Sequence, residues 1–349
     1  VSATAERAQI RRATLAARKA LEALDAVGAE ELARLYGAAA ENLRAAIARA
    51  GGADGSVGLN ELRSVLAQVD GVVDNLAAVR NGVIDAGLRE AAASGAAAVV
   101  LDSSASMRVA TEALALTRNF VAADGLMLSD RLWRLDRGAK EALTRAVELA
   151  VIQGNGSAQA AREFLAQGKA VPAEVAARLG AANSTALGDE AARLLTGAHE
   201  SALYQAQRVF RTEINRAHGE AYMAGVDQHP DFAGFRFLLS PAHPKHDICD
   251  LLATQNLYGL GPGVYPNREK CPWPAHPNTL SYVDAVYADE ISAADRAGKE
   301  TPIQALDRLP DSVVDGVLGK GKATLYHDGK MRQGMIRSTL SAVRRRVGV

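Results

Sequence analysis

Two short stretches of the chain hold both of its cysteines and three of its seven histidines: "SPAHPKHDICDLL" at 240–252 and "CPWPAHPNTLSYV" at 271–283. The cysteines are Cys249 and Cys271, and the histidines His243, His246 and His276. His246 and Cys249 are spaced H-x2-C, and Cys271 and His276 are spaced C-x4-H. Thiolate and imidazole are the ligands of structural zinc, so His246, Cys249, Cys271 and His276 form a candidate tetrahedral site, with His243 as a spare donor. Such a site would hold a loop-rich segment that has little core of its own. The second chemistry open to the same residues is a Cys-His nucleophile, which needs an activated thiolate and an oriented base. No accompanying signature supports it. The third reading is packing alone, with Trp273, Tyr265 and Leu251 filling the segment and the thiols buried and unligated. The zinc and packing readings both expect the proline-rich stretch 240–283 to close compactly and bring Cys249 close to Cys271.

Three other stretches carry chemistry-bearing residues. "GVLGKGKAT" (316–324) spaces Gly316, Gly321 and Lys322 as in a phosphate-binding loop. Ala323 follows where a hydroxyl would hold Mg²⁺, and "DRLPDSVVD" is a poor buried strand, so it reads as a basic turn. "RTEINRAHGEAY" (211–222) puts Arg216 and Glu220 four apart on a helix. On composition this is a solvated face with a weak ion pair. From Gly319 to Val349, Lys320, Lys322, Lys330, Arg332, Arg337, Arg344, Arg345 and Arg346 stand against the single acid Asp328. Lys320, Lys322, Arg344, Arg345 and Arg346 are therefore candidate contacts to DNA phosphates or to an acidic protein face. The alternative is a solvated, frayed terminus.

The elements that must position these residues follow from periodicity. Residues 3–50 read as two helices, broken at "DAVGAEE", and the loop "GGADGSVG" ends them. Helix resumes at Leu59 and runs to about Ala97, and another follows "LDSSASM" to about Ala122. A further helix starts with Ser129 as N-cap and Asp130 in its first turn, and stops near "GNGS", where Ser157 caps the next. Another starts near Pro172. A long helix is expected from about Asp189 to Val226. "FAGFRFLLSP" (232–241) alternates and is aromatic, so it reads as a strand. The expected fold is mainly α: long Ala-rich helices in an N-terminal bundle, plus a small α+β, loop-rich C-terminal domain. The expected divisions are 1–125, 126–228, 229–300 and 301–349, with β-structure confined to 230–300.

Composition limits what the chain does. Apolar content is 48% but aromatic content only 5%, so alanine carries much of it. Alanine favours helix yet buries little area, which predicts thin helix interfaces that partners complete. Forty basic and forty acidic residues cancel, which excludes a generic polycation for nucleic acid. Two cysteines make no disulfide framework, so a reducing compartment is the expectation. No apolar run reaches the roughly 18 residues of a membrane span, and the first residues carry no secretory h-region.

The stretches "GLMLSDRLWRL", "VELAVIQGNGSAQAAREFL", "RVFRTEINRAHGEAYMAGV", "HPKHDICD" and "YPNREKCPWPAHPN" resemble, in that order, the phage Mu F-like family of head morphogenesis (minor head) proteins. The resemblance spans roughly residues 126–285. Its most telling elements are Arg211, Thr212, Glu213, Arg216 and Ala217, then His276, Pro277 and Asn278. Many members continue with Cys-x-Cys, where this chain has Thr279 and Ser281, which removes two thiolates from any metal argument. The resemblance implies a minor capsid protein, docked on the portal with other head proteins in few copies. It would act in head assembly or DNA packaging and delivery, in the virion and, during assembly, the host cytoplasm. It implies no enzyme. Family domains are also joined to toxin or transferase modules, so the alternative is an enzyme, a toxin or metal-dependent hydrolase using the Cys/His cluster.

Overall fold

The computed structural model describes residues 3–52, 55, 57, 59–122, 125–154, 184–241, 243–276, 279 and 281–348. The expected helix near Pro172, the Ser157 cap, and Pro277 with Asn278 lie outside the described residues. The fold is mainly helical: a helix bundle, a small antiparallel sheet and short C-terminal helices. The described chain divides into two compact units, one of residues 1–19, 91–114 and 215–349, the other of 20–90 and 115–214.

The long helices are α1 (Ala3–Ala50), α2 (Leu59–Ala97), α3 (Ser103–Asn119), α4 (Leu128–Gly154), α5 (Ser184–Thr196) and α6 (Ala202–Val226). In the unit of 20–90 and 115–214, the buried residues recur at helical spacing. They include Leu32, Tyr36, Leu43 and Ile47 of α1 and Val65, Val69, Val73 and Leu76 of α2. Leu143 and Val147 of α4 are also buried, and α4 packs on α5.

Three helix boundaries differ from the sequence expectation, each for a local reason. Residues 3–50 form one helix, not two. Gly28 is not a breaker there: a Cβ on it would lie 2.1 Å from the Phe210 ring, so the glycine makes room for an aromatic. Helix α4 begins at Leu128, so Ser129 is inside it, and the Asp130 carboxylate reaches back to the Met127 N–H at 2.9 Å. The long helix expected from 189 to 226 is two helices. Gly197 to Ser201 separate them, and Glu200 there takes a positive φ of 59°.

The Gly28 contact gives a sign test within one helix. Gly37, also in α1, has open space where a Cβ would go. Gly37→Ala is expected to stabilise by about 0.5–1 kcal/mol through helix propensity. Gly28→Ala is expected instead to destabilise by about 1–3 kcal/mol through overpacking against Phe210. Urea unfolding of both variants reads the two signs, and two gains would remove the contact argument.

In the other unit, β1 (Phe232–Leu238) is the centre of a three-stranded antiparallel sheet, flanked by β2 (Val264–Tyr265) and β3 (Tyr282–Tyr287). Phe235 pairs with Ala285 and with Tyr265, and Phe237 with Val283. The strand period of two puts Phe235 and Phe237 on one face. That face joins Tyr222, Met223, Cys249, Cys271, Trp273 and Tyr287 in one apolar cluster. Val264 and Val286 on the opposite face pack with Ile291. Among the described residues, β-strands occur only after residue 230, as expected; Gly51 and Val57 make one isolated bridge.

The C-terminal helices follow: α7 (Ile248–Thr254), α8 (Ala293–Ala297), α9 (Pro302–Asp307), α10 (Asp311–Leu318), α11 (Lys320–His327) and α12 (Leu340–Val347). Leu251 of α7, Leu306, Val314, Leu318, Leu325, Met335, Ile336 and Val343 form their shared core.

Candidate functional site

Helix α7 is fixed at its start by a reciprocal cap. The Asp247 carboxylate accepts from the Cys249 N–H at 2.7 Å, and Asp250 accepts from the Asp247 N–H at 2.8 Å. Two imidazoles close on Asp250: His243 Nε2 at 3.0 Å and His246 Nδ1 at 2.8 Å. Burial raises the Asp250 pKa, but the Asp247 N–H and the two imidazoles outweigh it and hold the carboxyl below its ordinary range.

On the other side of Asp247 lies a second group. Cys249 Sγ is 3.2 Å from His276 Nε2 and 3.9 Å from Thr279 Oγ1, and His276 Nε2 is 3.1 Å from Asp247 Oδ2. Donor atoms of Asp247, Cys249 and His276 all lie within 4.8 Å of one another. Cys249 is fully buried, while the His276 and Asp247 side chains are 34% and 27% exposed, so the group sits where core meets solvent. Burial pushes the Cys249 thiol up to about 11; the Ser281 hydroxyl opposes this and the Asp247 charge adds to it. Cys271 is pushed up to about 11 for the same first reason, against the Trp273 N–H and Arg268.

The expected quartet is thus rearranged. The structure brings Cys249 and His276 together and adds Asp247. His246 turns to Asp250 instead, and among the described residues no cluster that could hold a metal contains Cys271 or His246. Cys271 lies in the apolar cluster with Cys249, Trp273 and Tyr265; Leu251 belongs to the neighbouring helical core. Sequence reasoning missed Asp247 and Asp250. The signal was present in "HDICD", where an acid before a helix and another three residues on is a capping pattern. The hydroxyls of Thr279 and Ser281, which stand where many of the resembled proteins have Cys-x-Cys, flank the Cys249 sulfur.

The stretch 211–222 is not a solvated face. Thr212, Glu213, Arg216, His218 and Glu220 on α6 are all buried. Arg131 Nη1 donates to Glu213 at 2.8 Å, Arg211 Nε to Asp25 at 2.6 Å, and Arg268 Nε to Glu220 at 2.9 Å. Asn215 donates to the Thr279 carbonyl at 3.1 Å, and Tyr222 to Asp284 at 2.9 Å. A Cβ on Gly219 would lie 2.0 Å from the Trp273 indole, so the helix surface is cut away to seat that ring. Buried charge persists only when paired, and here the partners come from 48 to 186 residues away.

The basic C-terminus is folded rather than frayed, because Leu325, Ile336 and Val343 anchor it. Lys322 is spent inside it: its ammonium donates to the Ile336 carbonyl at 2.6 Å, and burial lowers its pKa. Lys320, Arg344, Arg345 and Arg346 are exposed. The three arginines occupy the last turn of α12, where a positive charge also suits the helix dipole. "GVLGKGKAT" runs from helix α10 through Gly319 into helix α11, so no strand precedes it and it is not a phosphate-binding loop.

No protein-family model, no curated protein and no solved structure matches this chain. Among the described residues no helix is long and apolar enough to cross a membrane.

Proposed function

We propose that the chain is a minor head protein of a tailed phage, docking on the portal and acting in head assembly or DNA packaging and delivery. One observation carries the reading beyond the motif resemblance itself. The resembling stretches are far apart in sequence, yet residues within them meet. Glu220 bonds Arg268 and Gly219 seats Trp273, while Asn215 bonds the carbonyl of Thr279, just beyond the last stretch. Residues that interlock in this way are constrained together, which is why they would form one ordered motif set.

A docking role also suits the surface. Between residues 101 and 121, Leu101, Met107, Leu116 and Val121 are each more than half exposed. Leu101 and Met107 belong to one unit and Leu116 and Val121 to the other, and exposed large apolar side chains of this kind suit cover by a partner. Exposed Lys320, Arg344, Arg345 and Arg346 are available to phosphate or to an acidic face. The nucleophile chemistry considered for Cys249 is disfavoured: a fully buried thiol held near 11 is the opposite of an activated one.

Quantitative mass spectrometry of virions purified from the producing host is the test. The expected result is the chain in few copies relative to the major capsid protein, retained in portal-containing particles. Its absence from virions and from heads undergoing assembly would end the proposal.

A further inference from the structure

We infer that Asp247, Cys249 and His276 form a binding site for one divalent metal ion of the zinc type. The three donors come from the start of α7 and from the segment leading into β3, and they converge. From metal–sulfur, metal–nitrogen and metal–oxygen lengths of about 2.0–2.3 Å, tetrahedral ligands stand about 3.3–3.6 Å apart. His276 Nε2 lies 3.2 Å from Cys249 Sγ and 3.1 Å from Asp247 Oδ2, within a few tenths of those edges.

A single hydrogen bond does not serve both contacts; a neutral imidazole could meet them only by sharing one N–H between the carboxylate and the sulfur. An imidazole nitrogen carries either one proton or one lone pair. His276 Nε2 therefore cannot donate to the carboxylate and also accept from the thiol, although it approaches both. A cation answers all three donors at once. A second, independent observation points the same way. Ser281 is 1% exposed, and apart from the Cys249 sulfur, against which it lies, its hydroxyl has no hydrogen-bond partner. A donor held beside a metal-bound thiolate is the usual outer support of such a site. Trp273 and Asn215 fix that residue from behind, through its carbonyl.

The donor set selects the ion. Thiolate with imidazole and one carboxylate suits Zn²⁺ or Co²⁺, whereas Mg²⁺ and Ca²⁺ require oxygen ligands. Three protein ligands leave a fourth position for water or for a group from outside the chain. The ion would tie α7 to residue 276, 27 positions further on, across a segment of turns. This inference is independent of the head-protein reading, and either can fail without the other.

The experiment is Co²⁺ titration of the full chain, purified with chelator and then dialysed, followed by its absorption spectrum. One equivalent is expected to bind with a single sulfur-to-cobalt charge-transfer band, displaced by Zn²⁺ and indifferent to Mg²⁺. His276→Gln is expected to weaken binding by more than about 10-fold, the lower end of what losing even a supporting partner costs. Asp247→Asn should do the same while keeping a capping oxygen. Cys249→Ser should abolish the band, and Cys271→Ser should leave it intact. Should Cys249→Ser fail to fold, the His276→Gln variant decides, since that side chain is a third exposed. Absence of any band in the wild-type protein at millimolar Co²⁺ overturns the site. So does a band lost in Cys271→Ser and kept in His276→Gln.

Discussion

Asp136→Ala is expected to destabilise the chain by about 3–5 kcal/mol, the cost of removing one partner from a buried ion pair. The other partner is Arg80 on α2, whose side chain is fully buried. Asp136 on α4 receives both ends of its guanidinium, with Nη2 at 3.0 Å from Oδ2. Without the carboxylate, Arg80 keeps the Asn81 side-chain oxygen, at 2.7 Å, and the nearby Tyr36 hydroxyl, both neutral. A guanidinium cannot escape by losing its proton, so the charge would remain desolvated. Tyr36 packs in the same interior and offers no carboxylate. The double replacement Arg80→Met with Asp136→Leu removes both charges and is expected to recover most of the loss, because apolar substitutes for a buried pair are often neutral. Urea unfolding of the two singles and the double closes the cycle. Equal, small losses in all three would mean that water reaches Arg80 and that the pair contributes little.

That pair shows what sequence reading can and cannot reach. Helix α2 was legible, expected from Leu59 to about Ala97 and found at Leu59–Ala97, because apolar spacing and a glycine-rich loop both mark it. The strand at 232 was legible because aromatic alternation has a different period. Local signals failed where a residue answers to a distant partner. Gly28 looks like a helix breaker in one dimension and is a seat for Phe210 in three. Arg80, Glu213 and Glu220 look solvated because charge ordinarily is, and only the fold reveals Asp136, Arg131 and Arg268 opposite them. At the candidate site, Cys249 and His276 were visible as rare ligand types. Asp247 was not, because an aspartate before a helix is common and its approach to the His276 imidazole depends on tertiary structure.

The second large effect is a dependence of stability on pH. His218 on α6 is 7% exposed, and its Nε2 has no hydrogen-bond partner. Burial, helped by the positive charge of Arg18, pushes its pKa down from 6.5 to about 4. The native chain therefore holds His218 neutral at every pH above about 4, while the unfolded chain begins to protonate near 6.5. In that window the unfolded state binds more protons, so stability falls as pH is lowered. From pH 7 to pH 4.5 the loss from this one residue is expected to be roughly 2–3 kcal/mol at about 1.36 kcal/mol per pKa unit. Carboxylates held below their ordinary range, such as Asp250 and Glu300, act in the same direction. Their contribution is complete only well above the unfolded carboxylate pKa, and begins to be lost below about pH 5.5. The difference between the wild-type and His218→Leu profiles, and not the wild-type slope alone, is therefore His218's to report. Urea unfolding measured from pH 7 to 4.5 should show the decline in the wild-type chain. His218→Leu, which keeps an apolar body but cannot protonate, should flatten the curve over the same interval whatever its stability at pH 7. Parallel profiles for the two proteins would place the titration elsewhere, as would an NMR titration in which His218 takes up its proton near pH 6.5 in the native state.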